Sequence, residues 1–251
     1  MNSGINNIEL FGEEIVSLFI SKPFDFYRNN NSEDEINKQI EKVEKEIGIL
    51  FKKVLRPYQT HSNNVMIVDN KNINDDFLNV DGLITNLKGV ALCTSLADCQ
   101  GIILYDQKNR VIGNIHSGWK GTLSRICTNA VKIMKEKFNS KEEDIIVYIS
   151  PCIHKCCFEV DEDLKNEFEE EFSDIDLKSI FKRGDIKDKK QKYYIDTVEI
   201  NKRVLLNLGI KEENIHVSEL CSMCNSDTIH SFRKDKPNDG RNLLLIALKN
   251  N

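Results

Sequence analysis

Between Val90 and Ser117 the sequence is VALCTSLADCQGIILYDQKNRVIGNIHS. It contains three short runs of aliphatic and β-branched residues, Val90–Leu96, Gly101–Tyr105 and Val111–Ile115. Runs of this length and composition are typical of strands, so we predict that they form part of a sheet. The polar segment between the first two runs, Ala97-Asp98-Cys99, interrupts what is otherwise one continuous apolar run. A buried aspartate without partners costs several kcal/mol, so we expect compensating contacts there.

The same pattern extends outward from this region. Further apolar runs predict strands at Ile15–Ile20, Lys53–Leu55, Val65–Val68, Gly82–Thr85, Ile145–Ile149, near Val217 and at Leu243–Leu248. Helical periodicity predicts helices at Glu33–Gly48, Gly118–Phe138, Asp161–Phe172 and from Asp196 or Thr197 to Leu208, the last ended by Gly209. Ser32 and Glu35 have capping-box spacing at the start of the first helix. Lys182–Lys192 is polar and lysine-rich and predicts a loop. We therefore expect an α+β fold with mixed strands and outer helices, in a single domain spanning residues 1–251.

Composition limits the possible classes of function. The 251 residues are 40% hydrophobic, which is enough for a core. The net charge is -5, so the overall field repels polyanions and we expect no nucleic-acid partner. No apolar run is long enough to span a bilayer, and Glu9, Glu13 and Glu14 lie where a signal peptide is apolar. We expect a cytoplasmic protein without membrane contact, either a monomer or a homodimer.

Three reactive residues lie beside predicted strands and have the composition of a catalytic zinc site. His61 precedes one strand, Cys99 lies between two, and His116 follows a third. Two imidazoles and one thiolate leave a fourth position for water. Their spacing alone does not establish a site, and each has a structural alternative as a loop histidine, a core thiol or a hydrogen-bonded core imidazole. Blue copper uses the same ligands, but a multicopper oxidase needs more than the five histidines present.

Two other groups of residues have competing interpretations. A second cysteine group contains a single C-x-x-C, which favours buried or redox-inactive thiols over a Cys₄ structural zinc: Cys152, Cys156, Cys157, Cys221 and Cys224. Near the C-terminus, four cations lie close together in the sequence: Arg233, Lys234, Lys236 and Arg241. Arginine side chains there suit phosphate or carboxylate oxygens, and the alternative is an ordinary charged loop.

Seven ordered motifs resemble one known family. They are Q-x-H from Gln59, D-G-L-I-T from Asp81, A-D-C from Ala97, H-S-G-W-K-G-T from His116, S-P-C-I from Ser150, E-L-C from Glu219 and S-F-R-K-D from Ser231, the last followed by D-G-R. From about Arg56 onward, the chain resembles the YfiH-type purine nucleoside phosphorylases, formerly called polyphenol oxidases or laccase-domain proteins.

The resemblance implies a layered α+β fold of mixed sheets and a zinc enzyme, with copper bound in vitro. It implies phosphorolysis of adenosine, inosine and methylthioadenosine, and deamination of adenosine. By motif, the zinc ligands fall on His61, Cys99 and His116. We expect water at the metal to transfer protons or attack the purine, and Asp98 to orient an imidazole or act as acid or base beside Cys99 and His116.

The same resemblance places nucleoside and phosphate near Arg233, Arg241 and Lys120. Lys120 and Lys234 stand where the family commonly has arginine, so bidentate contacts are lost there. Residues 1–50 match poorly and yield no expected ligand-binding residue.

Two other functions compete with this one. In a Cys–His hydrolase, Cys99 would be the nucleophile and His116 the base, acting on an amide or ester of a cell-wall precursor. A non-catalytic metal-binding protein would use the same three ligands without turnover.

Overall fold

The computed structural model describes residues 3–250, which form fourteen strands and six α-helices. The strands are β1 Ile5–Asn7, β2 Ile15–Ile20, β3 Lys53–Leu55, β4 Val65–Ile67, β5 Gly82–Thr85, β6 Val90–Leu96, β7 Gln100–Asp106, β8 Val111–Ser117, β9 Ile145–Ile149, β10 Glu159–Asp161, β11 Phe181–Lys187, β12 Lys190–Ile195, β13 Ile215–Val217 and β14 Asn242–Leu248. The helices are α1 Glu33–Ile47, α2 Trp119–Leu123, α3 Ile126–Phe138, α4 Glu162–Glu171, α5 Thr197–Asn207 and α6 Phe232–Asp235. Single 3₁₀ turns lie at Glu142–Asp144 and Glu212–Asn214.

Two mixed sheets pack face to face at the centre of the fold. One has the strand order β1-β2-β14-β6-β3 and the other β13-β9-β7-β8-β5-β4. Alternation along β14 shows the layering: Leu244 and Ile246 join the core between the sheets, whereas Leu243 and Leu245 face outward. At Ala97–Cys99 the chain passes from the first sheet to the second, because this segment connects β6 to β7.

Helices cover both outer faces. α1 packs Ile36, Ile40 and Val43 against the first sheet, while α3 and α5 cover the second. The predicted capping box at Ser32 is present, and Gly48 ends α1 with a left-handed backbone. The resulting order is helix, sheet, sheet, helix, which confirms the layered α+β prediction.

The loop predicted at Lys182–Lys192 is wrong. β11 and β12 form a hairpin whose turn, Asp188-Lys189, has positive φ at both residues, and β10 completes a three-stranded sheet. Lysines are common on exposed strands because their charge opposes pairing with other chains. The apolar residues of this sheet instead pack on α4 and α5.

The prediction of a single helix over Gly118–Phe138 is also wrong, because the segment forms two helices, α2 and α3. Arg125 takes a left-handed conformation with φ 55° and separates α2 from α3. Its guanidinium contacts Glu171, the last residue of α4, and Asp174 just beyond that helix. Within residues 3–250, no helix is both long enough and apolar enough to cross a membrane.

Candidate metal centre and cavity

Three separate parts of the fold bring His61, Cys99 and His116 together. His61 lies in the loop between β3 and β4, Cys99 in the β6–β7 connection, and His116 near the end of β8. Their potential ligand atoms all lie within 4.8 Å of one another. The Cys99 Sγ to His61 Nε2 distance is 3.8 Å, and the imidazole rings meet edge to face with centroids 4.8 Å apart.

One buried carboxylate holds this group in place. Asp81 lies just before β5 and accepts hydrogen bonds from the backbone N–H groups of Thr60, His61 and Ser62. It also accepts one from the Ser62 hydroxyl and one from His116 Nδ1, the latter at 2.8 Å. Because Nδ1 donates its hydrogen bond to the carboxylate, Nε2 of His116 is the nitrogen that can coordinate a metal.

In the sequence, Asp81 stands out only as the first residue of the D-G-L-I-T motif, and no role for it was predicted. Burial raises the pKa of its carboxyl, but the hydrogen bonds from His116 and Ser62 outweigh burial and hold that pKa well below its usual range. The Asp81 carboxyl is therefore ionised at neutral pH. The available signal was a buried aspartate directly before an apolar strand, which requires compensating donors.

The thiol and the imidazole shift each other's protonation. Burial opposes charge on both groups, but the attraction between Cys99 and His116 lowers the pKa of Cys99 to about 6. The same attraction, together with the Asp81 carboxylate, raises the pKa of His116 to about 9. Without a metal, the pair at neutral pH is a thiolate beside an imidazolium.

The donor set fits a tetrahedral metal ion. Bond lengths typical of zinc give an N···S edge of about 3.6 Å, close to the 3.8 Å between His61 and Cys99. Gly118 passes directly against these two side chains: a Cβ added there would lie 2.7 Å from His61 Cδ2 and 2.9 Å from Cys99 Sγ. The residues present therefore suit one metal with three protein ligands.

The three residues line a cavity of about 620 Å³. Arg233 and Arg241, two of the expected phosphate ligands, also line it. Lys120, the third, is exposed on α2 and does not line it; its Nζ lies 5.3 Å from the Trp119 ring centre instead. The expected phosphate contact by Lys120 is therefore not supported by its position.

The N-terminal region, to which the sequence assigns no ligand-binding residue, contributes to the cavity. Arg28 lines it, with its guanidinium 3.9 Å from the Tyr58 ring centre. Tyr27 lines it as well and carries the Arg241 guanidinium at the same distance. No local motif marks Arg28, because its position depends on the packing of the whole N-terminal segment.

Asp98 does not hydrogen-bond to an imidazole as expected, and its hydrogen bonds are to other residues. Its carboxylate accepts hydrogen bonds from the hydroxyls of Ser222 and Ser231 and from the backbone N–H of Arg233. It is Asp81, and not Asp98, that orients the His116 imidazole. Asp98 lies at the cavity but anchors the segment that carries Arg233.

Four cysteines of the second group also come together. The sulfur atoms of Cys156, Cys157, Cys221 and Cys224 lie within 4.8 Å of one another, whereas Cys152 is buried outside this cluster. The sequence favoured buried or redox-inactive thiols over a Cys₄ site, and the structure places four of the five close enough together to share one metal ion.

Comparison with known proteins identifies the family. A family model described as "Multi-copper polyphenol oxidoreductase laccase" matches residues 23–249. The chain belongs to this family. The resemblance inferred from the seven motifs is thereby confirmed.

Two curated relatives are similar to the chain in sequence, and a solved structure is similar to it in fold. A curated relative from Bacteroides thetaiotaomicron, named purine nucleoside phosphorylase, is 30% identical over 76% of this chain and 72% of its own length. One from an unknown prokaryotic organism, named adenosine deaminase RL5, is 29% identical over 81% of this chain and 78% of its own. The crystal structure of YlmD from Geobacillus stearothermophilus shares the fold with TM-score 0.87 at 21% identity, covering 100% of this chain and 98% of that one. These relationships identify the chain as an enzyme of this family.

Proposed function

We propose that the chain is a zinc-dependent purine nucleoside phosphorylase that also deaminates adenosine. One observation carries this proposal: His61, Cys99 and His116 converge in a cavity that three arginines also line. The names of the two curated relatives support both reactions.

Zinc is the metal that these ligands favour. Two imidazoles and a thiolate form a catalytic zinc set with one open position, and Asp81 supplies the carboxylate partner typical of a zinc-bound histidine. Bound there, zinc supplies a Lewis acid and lowers the pKa of a water molecule. The same donors accept copper, so we expect copper to bind in vitro.

The remaining described histidines argue against multicopper chemistry. His230 Nε2 hydrogen-bonds to the carbonyl of Phe24, His216 is exposed on β13, and His154 lies in the β9–β10 loop. Among residues 3–250, the groups of potential ligands are the His61–Cys99–His116 set and the cysteine cluster. A trinuclear copper site therefore has no set of ligands among residues 3–250.

The cavity has the size and walls that a nucleoside needs. A volume of 620 Å³ lies within the usual range for small-molecule sites, which is about 300–1,000 Å³. Tyr58, Phe158 and Phe232 line it and offer ring faces for a purine. Adenosine, inosine and methylthioadenosine share this purine, and we expect all three as substrates.

The arginines suit the phosphate that phosphorolysis requires. An oxygen of hydrogen phosphate attacks C1′ of the ribose, and the bond to the purine nitrogen breaks with its electron pair on the base. The proton that the hydrogen phosphate loses ends on the base. Arg28, Arg233 and Arg241 would hold the phosphate dianion, for which guanidinium groups are well suited. In this proposal Asp98 positions Arg233 through its backbone N–H.

A Cys–His hydrolase is the second candidate, favoured by the thiolate–imidazolium pair of Cys99 and His116. Such a pair resembles the activated nucleophile of cysteine hydrolases, and the substrate would be an amide or ester of a cell-wall precursor. His61, which has no role in that mechanism, lies 3.8 Å from the sulfur and favours the metal site instead.

The test is metal analysis followed by an adenosine assay with and without phosphate, with adenine and inosine separated. We expect adenine only when phosphate is present, and inosine in both cases, with part of the inosine split further to hypoxanthine when phosphate is present. Loss of both products after chelation and their return with zinc support the proposal. Activity in a metal-free sample that iodoacetamide abolishes would favour the hydrolase, and a zinc-loaded chain that converts no nucleoside would favour a non-catalytic role.

A further inference from the structure

We propose that Cys156, Cys157, Cys221 and Cys224 bind a second zinc ion in a closed structural site. Their sulfur atoms all lie within 4.8 Å of one another. Four thiolates in a tetrahedron form a common structural zinc site, which leaves no open position for water. This inference does not depend on the function proposed for the cavity.

The sulfur separations match a single shared ion. Cys157 Sγ and Cys156 Sγ lie 3.4 Å and 3.8 Å from Cys224 Sγ. Zinc–sulfur bonds of about 2.3 Å give a tetrahedral S···S edge of about 3.8 Å. A disulfide needs about 2.05 Å, and all four residues are free thiols. An iron–sulfur cubane is excluded as well, since its four thiolates bind four different irons and lie farther apart.

Two segments distant in the sequence supply the ligands in pairs. Cys156 and Cys157 lie in the β9–β10 loop, where the N–H groups of Cys157 and Phe158 both donate to the carbonyl of His154 and close a turn. That turn directs two consecutive cysteines toward one point. The other pair, Cys221 and Cys224, has the C-x-x-C spacing of zinc ligands and follows β13.

Backbone contacts hold the two segments in register before any metal binds. Cys152 and Cys221 form an isolated parallel bridge, and the Ser222 N–H donates to the Cys152 carbonyl at 2.8 Å. Because the ligands are already close together, binding an ion requires little rearrangement.

The cluster lies directly behind one wall of the cavity. Phe158, which follows Cys157, lines the cavity, as does Ile153 on the same loop. On the other segment, Ser222 donates to the Asp98 carboxylate, to which Arg233 is also bound. An ion at the cluster would therefore fix both loops that form this wall, and we infer a structural and not a catalytic role.

The test is a count of zinc ions per chain, with the protein purified under reductant. A mercurial reagent displaces zinc from thiolates, and a chromophoric chelator measures the zinc released. We expect two ions from the wild-type chain, one from Cys99→Ala, and none from the double variant Cys99→Ala with Cys224→Ser. Cys224 is exposed, so its substitution removes a ligand without opening a cavity in the core.

The control is Cys127→Ala in the Cys99→Ala background, since Cys127 is a buried thiol on α3 outside the cluster. This control should retain one ion. If Cys99→Ala releases no zinc, the cluster binds none and the inference fails. If the wild type and Cys99→Ala both release one ion, the cluster site stands and the cavity site fails.

A second measurement does not depend on any variant folding. In the wild-type chain, iodoacetamide should label the exposed thiols of Cys156 and Cys224 at least tenfold more slowly before a strong chelator is added than after it. Equal rates, an intact mass showing a disulfide, or iron in place of zinc would each overturn the assignment.

Discussion

Asp81 and His116 form a hydrogen bond of 2.8 Å between two side chains that are 0% and 3% exposed. The same carboxylate holds the backbone of His61, so one buried residue positions two of the three proposed metal ligands. The spacing of the two histidines in the sequence does not reveal this arrangement.

Substituting Asp81 should therefore weaken both metal binding and the fold. In Asp81→Asn we expect zinc affinity at the cavity to fall about 10–100-fold, because the amide no longer fixes the His116 imidazole. The amide NH₂ group is itself a donor and cannot accept the hydrogen bonds that the carboxylate accepts. We also expect about 1–3 kcal/mol of lost stability from unsatisfied backbone groups. Competition with a chromophoric chelator measures the affinity, in a Cys224→Ser background so that one site is read.

The matched control is Asp106→Asn. Asp106 is equally buried but binds the turn after β7, through the N–H groups of Lys108 and Asn109. It should lose stability with unchanged zinc affinity. Equal zinc affinity in both variants would contradict the role assigned to Asp81.

Gly118 should be indispensable for a steric reason. Gly118→Ala places a methyl group under 3 Å from both His61 and Cys99, so the two ligands must separate and zinc affinity should fall at least tenfold. Gly121→Ala, three residues on, meets nothing closer than 3.5 Å and should bind zinc normally. Zinc titration of both variants checks this, and equal affinities would show that the backbone adapts.

Zinc binding should release protons with a definite pH dependence. Near pH 7.5, His116 is protonated because its pKa is about 9, while Cys99 is already a thiolate with a pKa of about 6. Binding must expel at least the His116 proton, so affinity rises with pH up to about 9. Below pH 6 a second proton must leave, and affinity falls more steeply. Calorimetry in buffers of different ionisation enthalpy measures this proton release. Zinc binding without proton release would contradict the thiolate–imidazolium state of Cys99 and His116.

Arg241 should act on phosphate and not on the metal. Its guanidinium lies at the cavity over the Tyr27 ring. In Arg241→Met, the loss of charged hydrogen bonds should raise the phosphate KM about 10–100-fold while zinc content stays the same. Arg183→Met on the exposed strand β11 is the control and should leave KM unchanged. A phosphate KM in Arg241→Met equal to that of this control would reassign Arg241 to structure.

The sequence predicted the elements whose signals are local. α1 forms where its capping box and apolar stripe indicate, and β6 has the predicted bounds because its apolar run is buried on both faces. The hairpin at Phe181–Ile195 was missed because lysine-rich strands lack the expected apolar pattern.

The candidate site divides in the same way. His61, Cys99 and His116 were identifiable from residue type and motif, and the structure brings them together. The role of Asp81 and the position of Arg28 depend on contacts between segments far apart in the sequence. Lys120 was expected at the phosphate because it neighbours His116 in a motif, but on α2 it is not among the residues that line the cavity.

The most direct measurement pairs metal content with nucleoside cleavage in Cys99→Ala. We predict one zinc ion fewer than in the wild type, no phosphate-dependent release of adenine from adenosine, and an unchanged circular dichroism spectrum. Full adenine release by Cys99→Ala, with that zinc ion absent, would contradict the proposal that this site carries the reaction.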